Sequence, residues 1–377
     1  MNVEMAQAKQ PIRKIMLVLP DLKAGGAQRM FINMANFFAQ EGYVTHLVLL
    51  TNAQSDFKDL SSDVNVEQFP SSRAARSLLP FSQVIRTTKP DVIISALTYV
   101  NLISIFARIL SGHKSARLIV TERAYHSINA KLATKHYTLE KILIRLLYQR
   151  SDKVVGISKG VTEDIAKIAH LPLEKTATIY NPVVTDALIH KLNAPIESAL
   201  PTGKIILSCG RLTSIKDFPT LLKAFKLLIQ THDDAHLVLL GDGPLKQKLI
   251  DLAIHLGIKD RVHFLGFIEN PMPYFKCADV FVLTSKSEGF GNVIVEALYA
   301  GTPVVSTDCP TGPKEILSDL RDCLAPVGDA QTLSRLIDLK LRQSKDSQSY
   351  QACANNFHVK TICNHYIKLA IGIDHEH

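Results

Sequence analysis

Short runs of apolar and β-branched residues alternate along this chain with longer segments in which apolar residues recur every three or four positions. The short runs read as strands buried on both faces and the longer segments as amphipathic helices, a pattern of βαβ units and parallel sheets. In the first half the runs predict strands at 14–19, 44–50, 64–68, 92–95, 118–121, 153–156 and 178–179. In the second half they predict strands at 204–209, 236–241, 262–265, 280–284, 303–306 and 323–325. Helices fall between most of them, for instance Ala27 to Glu41 ahead of the turn residue Gly42. A polar stretch near 184–202, containing Pro195 and Pro201, separates the two sets. The reading is α/β, with two doubly wound domains at residues 1–185 and 186–354 and a C-terminal helix, 355–377, that joins the first domain. A length of 377 residues agrees with two domains. The cleft between them is the expected place for a ligand.

Composition narrows the class. Hydrophobic residues at 46% and charged residues at 21% exclude a disordered, collagen-like or coiled-coil chain. The six cysteines all lie in the second half without a C-x-x-C pair, which argues against disulfide and zinc frameworks and points to a reducing, cytoplasmic compartment. The first apolar run, Ile15 to Leu19, follows Glu4 and stops at Pro20, unlike a signal peptide. The longest uncharged stretch, Val92 to Ala107, is short for a membrane span and is broken by Ser95, Thr98, Asn101 and Ser104.

Charge adds a functional clue. Residues 1–190 hold 23 Lys and Arg against 15 acids, and residues 191–377 hold 20 of each, so the whole excess of +8 lies in the first half. Within residues 71–160 there are 15 basic and 4 acidic side chains. Lys131, Lys135, Lys141, Arg145 and Arg150 interleave there with Leu132, Leu139, Ile142, Leu143, Leu146 and Leu147. Such a basic amphipathic helix suits an anionic membrane surface, at roughly 1 kcal/mol per basic residue near it. The alternative is an ordinary helix with a solvated basic face. No recognition motif or row of base-stacking aromatics supports nucleic acid as a partner.

The strongest local signal runs from Ser287 to Leu298, just after a predicted strand. Gly289 and Gly291 allow close backbone approach, and a helix starting at Asn292 would turn the amides of Asn292, Val293 and Ile294 toward a phosphate. Glu296, about one turn in, suits a vicinal diol such as ribose, and Glu288 on the loop suits a second polyhydroxy group. A helix start with a capping acid is the plainer alternative. Gly210-Arg211-Leu212-Thr213-Ser214-Ile215-Lys216 follows the first strand of the second domain, where Arg211 and Lys216 are spaced to hold a diphosphate from two sides. No Asp-x-Asp occurs in the chain, so basic side chains rather than a bridged divalent metal are expected to neutralise a departing diphosphate. Gly25 and Gly26 repeat the strand, glycine turn and helix device in the first domain, either for substrate approach or as a tight turn. Gly243 in Gly241-Asp242-Gly243-Pro244 and Phe267 in Gly266-Phe267-Ile268 end further strands and are candidates to bound the pocket and meet a planar base.

Together these residues carry a resemblance to the family 4 glycosyltransferases, the retaining, nucleotide-sugar-dependent GT-B group, over nearly the whole chain. Its specific parts are the Glu288-x7-Glu296 motif with its Glu-Gly-Phe-Gly interior, Gly210-Arg211 with Lys216, and Gly25-Gly26-Ala27-Gln28-Arg29, where Gln28 replaces the Glu of many bacterial members. The resemblance implies a GT-B fold of two Rossmann-like domains facing across a cleft, transfer with retention and no divalent metal or other cofactor. It implies that Arg211 and Lys216 hold the donor diphosphate, Glu296 the ribose, and Glu288 with the Phe290, Gly291 and Asn292 main chain the donor sugar. Thr311-Gly312-Pro313-Lys314-Glu315 resembles members acting on polyprenyl-diphosphate-linked sugars in surface polysaccharide and lipopolysaccharide assembly. Hexose or N-acetylhexosamine donors, carried on UDP, and a peripheral place on the cytoplasmic face of the inner membrane follow as expectations. In Thr121-Glu122-Arg123-Ala124-Tyr125-His126, Arg123 and His126 are candidates to reach the donor sugar. Front-face displacement needs no protein nucleophile; double displacement needs a carboxylate that the sequence does not locate. Two rival classes are a nucleotide-sugar epimerase of the same architecture and a non-catalytic sugar-nucleotide-binding homologue.

Overall fold

The computed structural model describes residues 12–23, 25–129, 135–320 and 322–373. They fall into two compact units. The first runs to Ile157, resumes at Val161–Pro182 and takes the chain from Val359 onward; the second holds Ser158–Gly160 and Val183–His358.

Unit 1 is built on seven strands: β1 (Lys14–Leu19), β2 (Val44–Leu49), β3 (Asn65–Gln68), β4 (Val92–Ala96), β5 (Arg117–Glu122), β6 (Lys153–Gly156) and β7 (Thr176–Thr178). All pairs are parallel, in the order β3-β2-β1-β4-β5-β6-β7. Every residue from Ile15 to Leu19 is buried because helices cover both faces. Ile15, Leu17 and Leu19 point to a core shared with α1 (Gly26–Gln40) and α15 (Val359–Ile371). Met16 and Val18 point to the opposite core, with α2 (Leu78–Thr88), α3 (Thr98–Ser111), α5 (Lys135–Leu147) and α6 (Lys159–Ala169). A short helix, α4 (His126–Asn129), follows β5.

The C-terminal helix was expected from residue 355. The chain joins unit 1 at Val359, and α14 (Ser347–Asn355) stays with unit 2 beside α11 (Asn292–Tyr299). From α15 the side chains of Val359, Ile362, Cys363, Tyr366, Leu369 and Ala370 enter the unit 1 core. Burial of each larger apolar side chain there is worth roughly 1.5–3 kcal/mol, which holds the helix in place.

Unit 2 has six parallel strands: β8 (Lys204–Cys209), β9 (Ala235–Leu240), β10 (Val262–Gly266), β11 (Val280–Leu283), β12 (Val304–Thr307) and β13 (Leu324–Ala325). Their order is β10-β9-β8-β11-β12-β13. Here α8 (Phe218–Leu228), α9 (Lys246–His255) and α13 (Ala330–Arg342) supply one core face, while α7 (Ala187–Leu192), α10 (Met272–Cys277) and α12 (Pro313–Ile316) complete the unit. In both sheets the order reverses beside the first strand, between β1 and β4 and between β8 and β11. Ligands of doubly wound sheets bind outside the strand ends at such switch points. The glycine loops singled out by sequence follow β1, β8 and β11. No helix among the described residues is long and apolar enough to cross a membrane.

Candidate active site

Three loops of unit 2 converge at the carboxyl ends of β8, β11 and β12. After β8 the chain makes a tight turn over Ser214–Lys216, and Asp217 then takes a left-handed conformation, φ 47°, at the start of α8. The Asp217 carboxylate accepts from Thr220 Oγ1 at 2.8 Å, which keeps this otherwise unfavourable geometry in place. Two hydrogen bonds to main-chain carbonyls tie the turn to the next loop: Thr284 Oγ1 donates to the Lys216 carbonyl at 2.8 Å and the Lys286 amide to the Ile215 carbonyl at 2.8 Å. Lys216 Nζ thereby meets Glu288 Oε1 at 2.5 Å, and Ser285 Oγ donates to the same oxygen at 2.5 Å. Sequence reasoning named Lys216 and Glu288 separately and missed Ser285, whose only signal is a hydroxyl at a strand end three residues before the acid. Arg211 lies exposed on the same loop.

The third loop braces the second. Thr311 Oγ1 donates to the Glu288 carbonyl, and Thr307 Oγ1 to the Ser285 carbonyl at 2.6 Å. Gly312 has φ 86° and packs so closely that a Cβ there would lie 1.9 Å from the Phe290 carbonyl oxygen. Glycine is required on both counts. Cys309, buried beside this loop, has its thiol pushed up to about 12 by burial and, secondarily, by the Glu288 carboxylate.

Helix α11 starts after Gly291, whose φ of 107° suits glycine. Three amides were expected to face a ligand here. The Ile294 amide instead donates to the Gly291 carbonyl at 2.9 Å, because the first turn closes on itself; Asn292 and Val293 remain at the helix start. Phe290 is buried edge-on against Phe357 at 5.2 Å, so its ring serves the core and only its main chain is on the loop. Glu296 is 2% exposed on the first turn and a half of the helix. Gly210 packs against the Lys216 stem, 3.5 Å from an added Cβ. An added Cβ on Gly243 would lie 2.6 Å from the Leu212 carbonyl oxygen, so this glycine lets two loops touch. Phe267 stands 69% exposed after β10, and the Gly241 amide donates to the Gly266 carbonyl at 2.6 Å.

In unit 1, Gly25 and Gly26 are exposed at the start of α1; Gly25 is extended, φ −176°, and its carbonyl accepts from the Arg29 amide. At the end of β5 the polar residues divide between the two faces of the sheet. Glu122 is buried on one face: Oε1 accepts from Tyr148 Oη and from Asn101 Nδ2 at 3.1 Å, while Oε2 accepts from Thr98 Oγ1 at 3.2 Å and meets His126 Nε2 at 2.9 Å. Burial alone would lower the His126 pKa; the hydrogen bond to Glu122 and the charges of Glu122, Asp164 and Glu140 outweigh it and raise the pKa. Burial, then Glu122, pushes the Tyr148 hydroxyl well up, which keeps it a donor. The sequence reading picked out His126 and missed its partner, four residues earlier at a strand end. Arg123 turns to the other face, toward α1.

The basic helix lies partly within the described residues; Lys131 and Leu132 lie outside them. In α5, Ile144 is buried, whereas Leu139, Ile142 and Leu146 are 58%, 50% and 63% exposed and share one outward face. The neighbouring α3 exposes Phe106, Ile109 and Leu110, and α2 exposes Leu79. Lys141, Arg145, Lys167 and His170 line a groove of about 340 Å³ with Ile142 and Ile168. The outer surface is therefore mixed apolar and basic.

Comparisons with known proteins extend this geometry. The family model described as "Glycosyl transferases group 1" matches residues 193–357, and that described as "Glycosyltransferase Family 4" matches residues 24–187. The chain is 28% identical, over 82% of its length and 84% of the relative's, to an N-acetylgalactosamine-N,N'-diacetylbacillosaminyl-diphospho-undecaprenol 4-alpha-N-acetylgalactosaminyltransferase of Campylobacter jejuni. It is 28% identical, over 92% of its length and 96% of the relative's, to the lipopolysaccharide core biosynthesis glycosyltransferase LpsE of Rhizobium meliloti. Among solved structures, Anabaena HepE in complex with UDP and glucose aligns with a TM-score of 0.74 at 22% identity, covering 95% of this chain and 99% of the other. The fold is thus GT-B.

Proposed function

Because the chain belongs to the group 1 and family 4 glycosyltransferases and is an enzyme of that class, we propose that it transfers a hexose or N-acetylhexosamine from a UDP-sugar, with retention, to a saccharide carried on a polyprenyl diphosphate. The product would enter a cell-surface polysaccharide. The observation that carries this reading is the Lys216–Glu288 pair, held by three braced loops at the switch point of unit 2. A cation poised beside a sugar-sized carboxylate, next to a helix start, suits a nucleotide diphosphate sugar.

In the proposed reaction the bond from the anomeric carbon to the diphosphate oxygen breaks while the acceptor oxygen bonds to the same face of that carbon. The acceptor proton passes to the departing diphosphate. Lys216 and Arg211, with the Asn292 and Val293 end of α11, stabilise the charge that develops on the leaving group, and no divalent metal is called for. Glu296 holds the ribose diol. Glu288 holds sugar hydroxyls, and Lys216 shifts from Glu288 toward the diphosphate as donor enters.

The lipid-linked acceptor is supported by the Campylobacter jejuni relative, named for action on an undecaprenol-linked saccharide. It is supported equally by the mixed surface of α5 and α3, which suits an anionic membrane at its cytoplasmic face.

Thermal-shift measurements with UDP, GDP and ADP, with and without EDTA, test the donor reading. A rise with UDP that survives EDTA is expected. Loss of that rise in EDTA would overturn the metal-free site, and turnover of donor without acceptor would favour an epimerase.

A further inference from the structure

Arg123 lies just beyond β5, at the carboxyl end of the unit 1 sheet. Its guanidinium carbon is 5.4 Å from the centre of the Phe31 ring of α1, and Nη1 donates to Asn181 Oδ1 at 2.9 Å. Nε is shut off from solvent and has no hydrogen-bond partner. Among the described residues no carboxylate forms an ion pair with it. The adjacent carboxylate, Glu122, faces the other way and is committed to Tyr148, Asn101, Thr98 and His126. Tyr366 of α15 is nearby, its hydroxyl pushed up by burial and so neutral.

A guanidinium remains charged in such surroundings, although burial lowers its pKa from the usual value. A desolvated charge with no counter-charge destabilises a fold unless something compensates it. The cation–π contact and one neutral hydrogen bond compensate only in part. Nη2, by contrast, makes no hydrogen bond among the described residues and is not closed off, and the residue as a whole is half-buried, so a ligand can reach it there.

We infer that Arg123 is a second anion site, in unit 1, that takes a phosphate oxygen of a diphosphate on Nη2. A hydrogen bond from the charged guanidinium to a phosphate oxygen is among the strong ones. The inference rests on the proposed function for the source of the anion, which is either the nucleotide donor or the lipid-linked acceptor. Asn181 holds Nη1 and so orients the guanidinium.

Melting temperatures of the full-length protein test this. Wild type, Arg123→Gln and Asn181→Asp are each measured alone and with UDP, farnesyl diphosphate or inorganic pyrophosphate. Arg123→Gln is expected to melt at or above the wild-type temperature, because it removes an uncompensated charge. Asn181→Asp, which supplies the missing carboxylate, is expected to melt higher still and to block the anion. Loss of the farnesyl diphosphate and pyrophosphate shifts with retention of the UDP shift assigns the site to the acceptor; loss of the UDP shift assigns it to the donor. A lower melting temperature in both variants with every ligand shift intact would make Arg123 a structural anchor and overturn the inference. If wild type responds to none of the three, the proposed function fails, and the site is decided with phosphate and sulfate. Their stabilisation of wild type but not Arg123→Gln upholds it, and equal behaviour overturns it.

Discussion

Replacing Lys216 by alanine should separate two effects that the structure assigns to one side chain. The Lys216–Glu288 contact is 2.5 Å with both side chains mostly buried, between the exposed and the fully buried cases. Exposed pairs contribute about 0–1 kcal/mol and breaking a buried one costs about 3–5, so a loss of about 1–2 kcal/mol is expected, because Ser285 still donates to Glu288. For a unit of this size that lowers the melting temperature by roughly 2–8 °C. The catalytic loss should be larger. Removing one preorganised donor from a developing anion costs about 100- to 1,000-fold in kcat, or roughly 3–4 kcal/mol. Initial rates of UDP release, with melting curves on the same samples, give both numbers. Glu288→Gln keeps the hydrogen bonds without the charge, and the Lys216→Ala, Glu288→Gln double variant should lose less than the sum of the singles. A Lys216→Ala enzyme within threefold of wild type in kcat, at any stability, would refute the reasoning.

Other outcomes follow from the same geometry. The folded-state pKa of His126 is raised, so its stabilising contribution is complete below the ordinary value of 6.5 and fades as pH rises through the folded value. The melting-temperature gap between wild type and His126→Gln should therefore narrow with rising pH, and a constant gap would count against a charged His126. Gly312→Ala should lose about 1–2 kcal/mol or more from its left-handed backbone alone, and its Cβ must displace the Phe290 carbonyl; kcat/KM should drop with stability, and normal kinetics would count against bracing by this loop. Cys277 is exposed whereas Cys309 is buried with its thiol pushed up to about 12, so maleimide at neutral pH should label Cys277 first by peptide mapping. Early labelling of Cys309 would mean that the Glu288 loop opens.

The strands were legible because both faces of each sheet are covered, so nearly every strand announces itself as an apolar run. All thirteen expected strands are present, with ends shifted by one or two residues where a flanking residue joins or leaves the ladder, as at Ala96 and Glu122. The loops at the switch points were legible through their glycines. The Lys216–Glu288 contact was not, because its partners lie 72 residues apart and meet only through parallel strand pairing. Periodicity alone left α5 open: apolar residues occupy both its inner and outer sides, and only packing shows that Leu139, Ile142 and Leu146 face out. Phe290 sits inside the most specific motif yet serves the core, since its ring meets Phe357 from the far end of unit 2. Ile294 shows a local limit, for whether a first-turn amide closes on its own loop depends on the φ of Gly291.

The most direct test of the account is to incubate the enzyme, in EDTA, with an α-linked UDP-sugar and a short-chain polyprenyl diphosphate saccharide, and to determine the new linkage by NMR. The account predicts a lengthened saccharide with an α linkage and one UDP released per sugar transferred. A β linkage, or donor consumed with no lengthened saccharide, would contradict it.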